Sequence, residues 1–122
     1  PVIEQCVREL EEYFFEGRKF FSVELDPPGS AFQLKVWNEL LTIPYGKTTS
    51  YEDLAIRVGD IKSIRAIGLA NGQNPIAIII PCHRVIGKNG ALVGYGGGLD
   101  NKTWLLQHEG AFSAQLKLFQ SF

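Results

Sequence analysis

The chain has 122 residues and a formal net charge of −1, with 45% hydrophobic and 20% charged residues. This size suits one domain with a single core, and the composition is that of an ordinary soluble globular protein. A membrane-spanning segment is excluded, because no apolar stretch approaches the roughly 18 residues it needs, and no secretory signal pattern opens the chain. Only two cysteines are present, Cys6 and Cys82, so we expect no disulfide framework and a reducing, intracellular setting, cytoplasmic or nuclear.

Charge is distributed unevenly along the chain. Residues 1–30 carry a net charge of −4, whereas residues 57–88 carry a net charge of +4. The second segment is therefore a candidate for contact with nucleic-acid phosphates, although an imbalance of this size also arises by chance. The chain contains no methionine, not even at position 1, so we expect it to be cut from a longer one.

The first third of the chain predicts two helices. Residues 3–16 have the apolar spacing of an amphipathic helix, and residues 20–25 alternate weakly, as a strand would. Ser30 and Gln33 form the capping box that opens a second helix. The residues expected to face the core are Ile3, Val7, Leu10 and Phe14 in the first helix, and Phe32, Val36, Trp37, Leu40 and Leu41 in the second.

Two shorter helices follow in a helical hairpin. Ser50 caps the first, which runs to about Val58, and Ser63 caps the second after a turn over residues 59–62. Helix, short turn and helix together form the outline of the helix-turn-helix domains that bind DNA. The outline is weak evidence by itself, since most helical hairpins bind nothing.

The second helix of this hairpin is unusually bare on one surface. Ala66 and Ala70 are four residues apart, as are Gly68 and Gly72, although each glycine costs a helix about 1 kcal/mol relative to alanine. Close packing against a neighbouring helix would explain this composition. So would a helix smooth enough to lie in a narrow groove, with Arg65 as its single long projection.

Cys82 and His83 lie at the end of a long apolar run, residues 76–80. The run, followed by Pro81, predicts a short buried strand or extended segment that brings Cys82 to the edge of a pocket. Only a thiolate is strongly nucleophilic, and an adjacent imidazole can lower a thiol pKa towards neutrality. These residues indicate a catalytic cysteine, with a buried structural cysteine as the alternative.

The last third of the chain predicts one more helix. Before it the sequence predicts a short strand at residues 85–86, a hairpin turn at residues 88–90 and a glycine-rich loop at residues 93–98. The helix runs from about Asp100 to Glu109 and is expected to bury Trp104 and Leu105. A carboxylate is unfavourable at a helix C-terminus, so Glu109 is expected to have a local partner.

Several motifs occur in order over about residues 29–112. They are Ile43-Pro44-Tyr45-Gly46, Thr49-Ser50-Tyr51, Arg65-Ala66-Ile67-Gly68, Asn74-Pro75, Ile80-Pro81-Cys82-His83-Arg84-Val85, Gly97-Gly98-Leu99, Trp104-Leu105-Leu106 and His108-Glu109-Gly110. In this order and spacing they resemble the C-terminal, active domain of the O6-alkylguanine-DNA alkyltransferases, the methylated-DNA–protein-cysteine methyltransferases. The block around Cys82 is the most specific of them.

The resemblance implies a mainly α fold with a small β element. It is a helix-turn-helix, winged-helix-like, three-helix domain in which a short strand carries the cysteine. Residues 29–112 would form this DNA-binding alkyltransferase domain. Residues 1–28 would be a helix and linker resembling the end of a missing N-terminal domain, and residues 113–122 a C-terminal tail.

The resemblance also implies a reaction. Cys82 would accept an alkyl group from O6 of a damaged guanine by direct displacement, and each protein would act once. His83 and Glu109 would form a relay, through a water, that holds the sulfur as a thiolate. Tyr51 would press on the phosphate of the target nucleotide and donate a proton to the base. No cofactor and no metal are expected.

The implied partner is double-stranded DNA that contains O6-alkylguanine, with no membrane partner and a monomeric protein. Arg65 would enter the base stack as the target base leaves it, and Asn74 would be a hinge between the DNA-binding helix and the cysteine segment. The residues expected at the DNA are Tyr51, Arg65, Ala66, Gly68, Ala70, Asn71 and Arg84. Those expected to line the pocket of the extruded base are Asn74, Val85, Tyr95, Gly96 and Gly97.

The sequence allows four other interpretations. A non-enzymatic alkyltransferase-like protein binds alkylated guanine without transfer, but in those proteins another residue replaces the cysteine found here at Cys82. A sequence-specific helix-turn-helix regulator needs base-reading side chains, which the second helix of the hairpin lacks. A cysteine hydrolase is disfavoured because adjacent Cys82 and His83 cannot easily share one hydrogen bond. Zinc is disfavoured because Cys6, Cys82, His83 and His108 have no ligand-like spacing, so Cys6 and His108 are interpreted as structural.

Overall fold

The computed structural model describes residues 2–59, 64–87 and 98–111. Its helices are α1 (Val2–Phe15), α2 (Ala31–Leu40), α3 (Tyr51–Val58), α4 (Ile64–Gly72) and α5 (Leu99–His108). Its strands are β1 (Thr49–Ser50) and β2 (Val85–Ile86), and a single 3-10 turn spans Cys82–Arg84. The prediction of a mainly α domain with a small β element is confirmed. None of the helices described is long and apolar enough to cross a membrane.

Helix α1 is present as predicted, but of its predicted apolar stripe only Leu10 and Phe14 are half-buried, and none of the four residues is fully buried. Ile3 is 77% exposed and Val7 is 50% exposed, whereas Glu9 and Tyr13 are fully buried. The reason is the buried Glu9 carboxylate, which accepts hydrogen bonds from the backbone amides of Ser22 (2.8 Å) and Val23 (3.2 Å). These bonds fold the chain back onto α1.

The same bonds explain why the predicted strand at residues 20–25 does not form. A strand needs its backbone amides for a neighbouring strand, but two of them donate to Glu9 instead. The serine hydroxyl of Ser22 also donates to this carboxylate, at 2.7 Å. The segment is therefore an irregular connection held against α1.

Helix α2 begins as predicted. The Ser30 hydroxyl accepts from the Gln33 amide at 3.1 Å, and the Gln33 side chain accepts from the Ser30 amide at 2.8 Å, so the capping box is confirmed. Of the five residues expected in the core, three are buried, Phe32 is half-buried and Leu41 is exposed. Leu41 is the C-cap of the helix and keeps helical backbone angles, but its side chain is exposed.

Helices α2, α3 and α4 pack against one another around the main core. The Trp37 indole donates to the Ala70 carbonyl at 2.9 Å, which fixes α2 against α4. Ser50 caps α3 by accepting from the Asp53 amide at 3.0 Å, and Gly59 ends it in the left-handed conformation, with φ 80°. Residues 60–63, with the predicted cap Ser63, lie outside the described residues.

The apolar run before the cysteine is a tight loop, so the strand predicted at residues 76–80 is wrong. The Asn74 side chain holds the loop: its amide nitrogen donates to the Ile80 carbonyl at 2.7 Å, and its oxygen accepts from the Ile76 amide at 2.9 Å. Ile78 has a φ of 73°, which is unusual for a β-branched residue. Internal hydrogen bonds of the loop therefore replace a strand ladder.

The strand of this region comes after the cysteine, so the prediction that a strand carries Cys82 is also wrong. Cys82 begins the 3-10 turn, and β2 follows it directly. Strand β2 pairs in parallel with β1, with Thr49 opposite Val85 and Ser50 opposite Ile86. The pairing brings the cysteine turn close to the start of α3.

Helix α5 forms as predicted and packs against the cysteine turn. Leu105 is buried as expected, but Trp104 is 48% exposed and stacks on the His108 ring, with centroids 4.9 Å apart. The buried face of α5 is formed by Leu105 and Leu106 together with Lys102.

Candidate active site around Cys82

Cys82 lies almost completely buried, with 6% of its surface exposed, at the rim of the main core. Its amide donates to the Ile80 carbonyl at 2.8 Å. Its own carbonyl accepts from the Val85 amide and, at 3.4 Å, from the Asn71 side chain. The thiol is therefore held on a tightly bonded turn among apolar side chains, surroundings that by themselves disfavour a thiolate.

Glu109, the residue that directly follows α5, is the most heavily bonded side chain in this region. It is buried and accepts hydrogen bonds from Tyr13 (2.7 Å), His83 (2.8 Å) and two nitrogens of Arg84 (2.8 and 2.9 Å). Burial alone would raise the pKa of Glu109, but the bonds from His83, Arg84 and Tyr13 outweigh it and lower the pKa to about 2. The local partner expected for Glu109 is thus a set of three side chains.

His83 lies fully buried on the cysteine turn, with Nε2 2.8 Å from a Glu109 oxygen. Burial lowers the pKa of His83, and the neighbouring Glu109 opposes this only in part. The imidazole is therefore neutral at pH 7, with its proton on Nε2 directed at the carboxylate. Nδ1 is left as an acceptor, and it has no hydrogen-bond partner among the residues that the structure describes.

Arg84 is inside the molecule, which corrects the prediction that it contacts DNA. Its side chain is 7% exposed and donates hydrogen bonds to both carboxylate oxygens of Glu109. A third nitrogen donates to the Ile43 carbonyl at 2.6 Å. These bonds occupy the guanidinium, so Arg84 holds Glu109 and is not available to a phosphate.

Lys102 of α5 is a residue that the sequence analysis missed. It is fully buried and donates to the Val85 carbonyl at 2.6 Å. Burial lowers the pKa of Lys102 to about 8, and electrostatic interaction with Cys82 opposes that shift. The sequence did contain a signal for this burial, because helical spacing places Lys102 on the same face as Leu105 and Leu106, which are buried.

Tyr51, the first residue of α3, is half-buried beside α4 and Cys82. An added Cβ at Gly68 would lie 3.8 Å from the Tyr51 ring, so this bare position of α4 lies against the ring. Burial raises the pKa of Tyr51, Cys82 raises it further, and a hydrogen bond from Asn71 lowers it in part. The phenol therefore keeps its proton at neutral pH.

The predicted DNA-facing residues of α4 do not share one environment. Arg65 is exposed, and Ala66 and Gly68 are half-buried. Ala70 and Asn71 are buried, so the prediction that they contact DNA is wrong. They lie on the α4 face that packs into the domain, beneath Trp37, which donates to the Ala70 carbonyl.

Part of the predicted base pocket lies outside the described residues, namely Tyr95, Gly96 and Gly97. Asn74 is described and joins α4 to the loop before Cys82, as its bonds to that loop show. Val85 is fully buried in the core under the cysteine turn. Among the described residues no group of three or more His, Cys, Asp or Glu side chains is arranged to hold a metal ion.

A family profile described as 6-O-methylguanine DNA methyltransferase, DNA binding domain, matches residues 31–111. This match covers well over half of the chain, including α2 to α5 and every side chain of the Cys82 site except Tyr13. The chain belongs to this family. The family predicted from the sequence motifs is confirmed.

Similar proteins carry the name methylated-DNA–protein-cysteine methyltransferase. One from Methanosarcina acetivorans is 56% identical over 107 residues, which cover 88% of this chain and 69% of the relative. One from Mycobacterium leprae is 54% identical over 105 residues, which cover 86% of this chain and 64% of the relative. The chain thus spans about two thirds of the length of these methyltransferases.

Solved structures of similar proteins share the fold. Mycobacterium tuberculosis OGT in complex with DNA has a TM-score of 0.85 and 52% identity, over 95% of this chain and 73% of that chain. Schizosaccharomyces pombe Atl1, in complex with damaged DNA containing O6-carboxymethylguanine, has a TM-score of 0.58 and 30% identity, over 69% of this chain and 80% of that chain. Both neighbours were solved bound to DNA.

The bonds of Glu109 predict how the stability of the protein depends on pH. The pKa of this carboxyl is about 2 in the folded protein and 4.5 without its surroundings, so the native state binds fewer protons than the unfolded state. The ionised carboxylate therefore contributes about 3 kcal/mol to the free energy of unfolding, and this contribution is complete above pH 4.5 and is lost as the pH falls towards 2. Denaturant unfolding from pH 7 to pH 2.5 measures it. In Glu109→Gln the loss of unfolding free energy between pH 7 and pH 2.5 should be smaller by this amount. A loss equal to that of the wild type would contradict the account.

Proposed function

We propose that this protein repairs DNA by transferring an alkyl group from O6 of guanine in double-stranded DNA to its own Cys82. The observation that carries the proposal is the placement of Cys82 on the turn that also holds His83, whose ring is bonded to the buried, ionised Glu109. Family membership supports the reaction type, and the DNA-bound structures of its neighbours support the partner.

The first step is activation of the thiol. The neutral His83 ring has Nδ1 available as an acceptor, so it can take the Cys82 proton through a bridging water. This leaves a thiolate and an imidazolium, and the imidazolium is stabilised because its Nε2–H already points at the Glu109 carboxylate. The Lys102 ammonium interacts electrostatically with Cys82 and favours the same thiolate.

The second step is displacement at the alkyl carbon. The sulfur forms a bond to that carbon as the carbon–O6 bond breaks, and the electron pair of that bond goes to the guanine. Tyr51 can supply a proton to the departing base, because its raised pKa keeps the phenol protonated. The proton lost by the thiol balances the one that the guanine gains. The product is a thioether, which is a poor substrate for displacement, so each protein acts once.

DNA is expected to meet the surface formed by α3 and α4. Arg65 projects from α4 into solvent, whereas Ala66 and Gly68 carry no long side chain, so the neighbouring surface of the helix has no projections. A bare helix of this kind fits a minor groove, where few side chains can read bases but a wedge can separate them. We expect Arg65 to fill the stack that the flipped base vacates, with Tyr51 at the phosphate of the same nucleotide. Tyr95, Gly96 and Gly97 remain proposed pocket residues.

The central prediction of this proposal is the identity of the alkyl acceptor. Equimolar duplex DNA with O6-methylguanine should add the mass of one methyl group to each protein, on the peptide that contains Cys82, and excess DNA should add no second group. Cys82→Ser should abolish the transfer while leaving binding of the damaged duplex. Cys6→Ser is the matched control and should transfer normally. Transfer by Cys82→Ser, or a methyl group on the Cys6 peptide, would overturn the proposal.

A second prediction separates base flipping from chemistry. Arg65→Ala should slow repair of duplex DNA by about tenfold or more, because the vacated stack then stays unfilled at a cost of a kilocalorie or more. Reaction with free O6-benzylguanine, which needs no flipping, should keep its rate. Arg8→Ala, at an exposed arginine of α1 and so outside the surface formed by α3 and α4, is the charge-matched control and should repair duplex DNA at the normal rate. An equal loss on both substrates would show that Arg65 acts on folding or on the chemical step.

A further inference from the structure

Asn71 is a polar side chain in an apolar part of α4. It is 3% exposed and lies on the helix face that also buries Ile67 and Ala70. A buried amide is unfavourable unless its donors and acceptor are all hydrogen-bonded. Its environment therefore raises the question of what the amide contributes that an apolar side chain would not.

The nitrogen of the Asn71 amide has two partners. It donates to the Cys82 carbonyl at 3.4 Å, a long and weak bond. The side chain also shares a hydrogen bond with the Tyr51 hydroxyl. Since Asn71 Oδ1 has no partner among the described residues, the amide nitrogen is the donor and the phenol oxygen the acceptor. An amide nitrogen has two hydrogens, which is enough for both bonds.

The oxygen of the same amide is not satisfied. Asn71 Oδ1 is buried and has no hydrogen-bond partner among the residues that the structure describes. An unpaired buried acceptor is a loss to stability, so the stability of the fold does not explain an amide at this position. Polar groups that break local packing rules in this way concentrate at functional sites.

The two bonds of Asn71 connect the parts of the site that must act together. One runs to the turn that carries Cys82 and the other to the first residue of α3. Gly68, one turn earlier on α4, lies against the ring of the same tyrosine. Helix α4 thus fixes the Tyr51 ring through Gly68 and its oxygen through Asn71, which directs the phenol hydrogen away from the amide.

We propose that Asn71 is a positioning residue for alkyl transfer, holding the Tyr51 hydroxyl in place as the proton donor to the departing base. The inference rests on the function proposed above for Cys82 and Tyr51. It replaces the DNA contact expected for Asn71 from the sequence with a role inside the domain. Since the bond to the Cys82 carbonyl is weak, the effect of Asn71 passes mainly through Tyr51.

A double-mutant cycle tests this role. The variants are Asn71→Leu, Tyr51→Phe and the double variant, and the measurement is the rate of Cys82 alkylation by free O6-benzylguanine, which removes DNA binding from the comparison. Asn71→Leu should slow the reaction by about tenfold in the wild-type background and by less than about twofold in the Tyr51→Phe background. The Tyr51 pKa, followed by NMR of labelled tyrosine, should rise in Asn71→Leu.

Two results would overturn the proposal. They are a wild-type rate in Asn71→Leu, and an equal loss in both backgrounds, which would mean that Asn71 acts on the fold or on Cys82 alone. If Asn71→Leu does not fold, as judged by circular dichroism, the smaller Asn71→Ala takes its place with the same expectations. A wild-type protein that never alkylates Cys82 would instead remove the proposed function itself.

Discussion

The site depends on one buried negative charge. A carboxylate out of contact with water is stable only when it is fully bonded, and Glu109 meets this condition with side-chain partners from two other parts of the chain. Tyr13 comes from α1, His83 and Arg84 from the cysteine turn, and Glu109 itself from the end of α5. The same bonds that close the fold therefore set the position and proton state of the imidazole beside the nucleophile.

The placement of Cys82 creates a conflict that the surrounding charges resolve. An apolar rim excludes water and protects a reactive sulfur, but it also disfavours the thiolate. His83 offers a proton acceptor that is hydrogen-bonded to an ionised carboxylate. Lys102 adds a buried ammonium from helix α5, which packs against the cysteine turn. The short parallel pairing of β1 and β2 then brings Tyr51 to the same place.

Sequence reasoning succeeded where the determinant is local. The caps at Ser30 and Ser50 depend on residues three positions away, so both helix starts could be predicted. It failed where the partner is distant: nothing near Glu9 indicates that it bonds Ser22, and nothing near Arg84 indicates Glu109, 25 residues later. Charged side chains were therefore assigned to the surface although the fold buries them. The motifs around Cys82 identified the family, because their order and spacing are specific even where side-chain directions are not.

The pH dependence of Cys82 reactivity towards free O6-benzylguanine, in the wild type and in Glu109→Gln, tests the central claim most directly. Without the carboxylate the imidazolium loses its partner, so the reactive thiolate should form only at higher pH, and the reaction near neutrality should be slower. Glu9→Gln removes another buried carboxylate, held on α1 by Ser22 and Val23, and controls for lost stability with an unshifted profile. Superimposable profiles for the wild type and Glu109→Gln would contradict a role of Glu109 in activating the thiol.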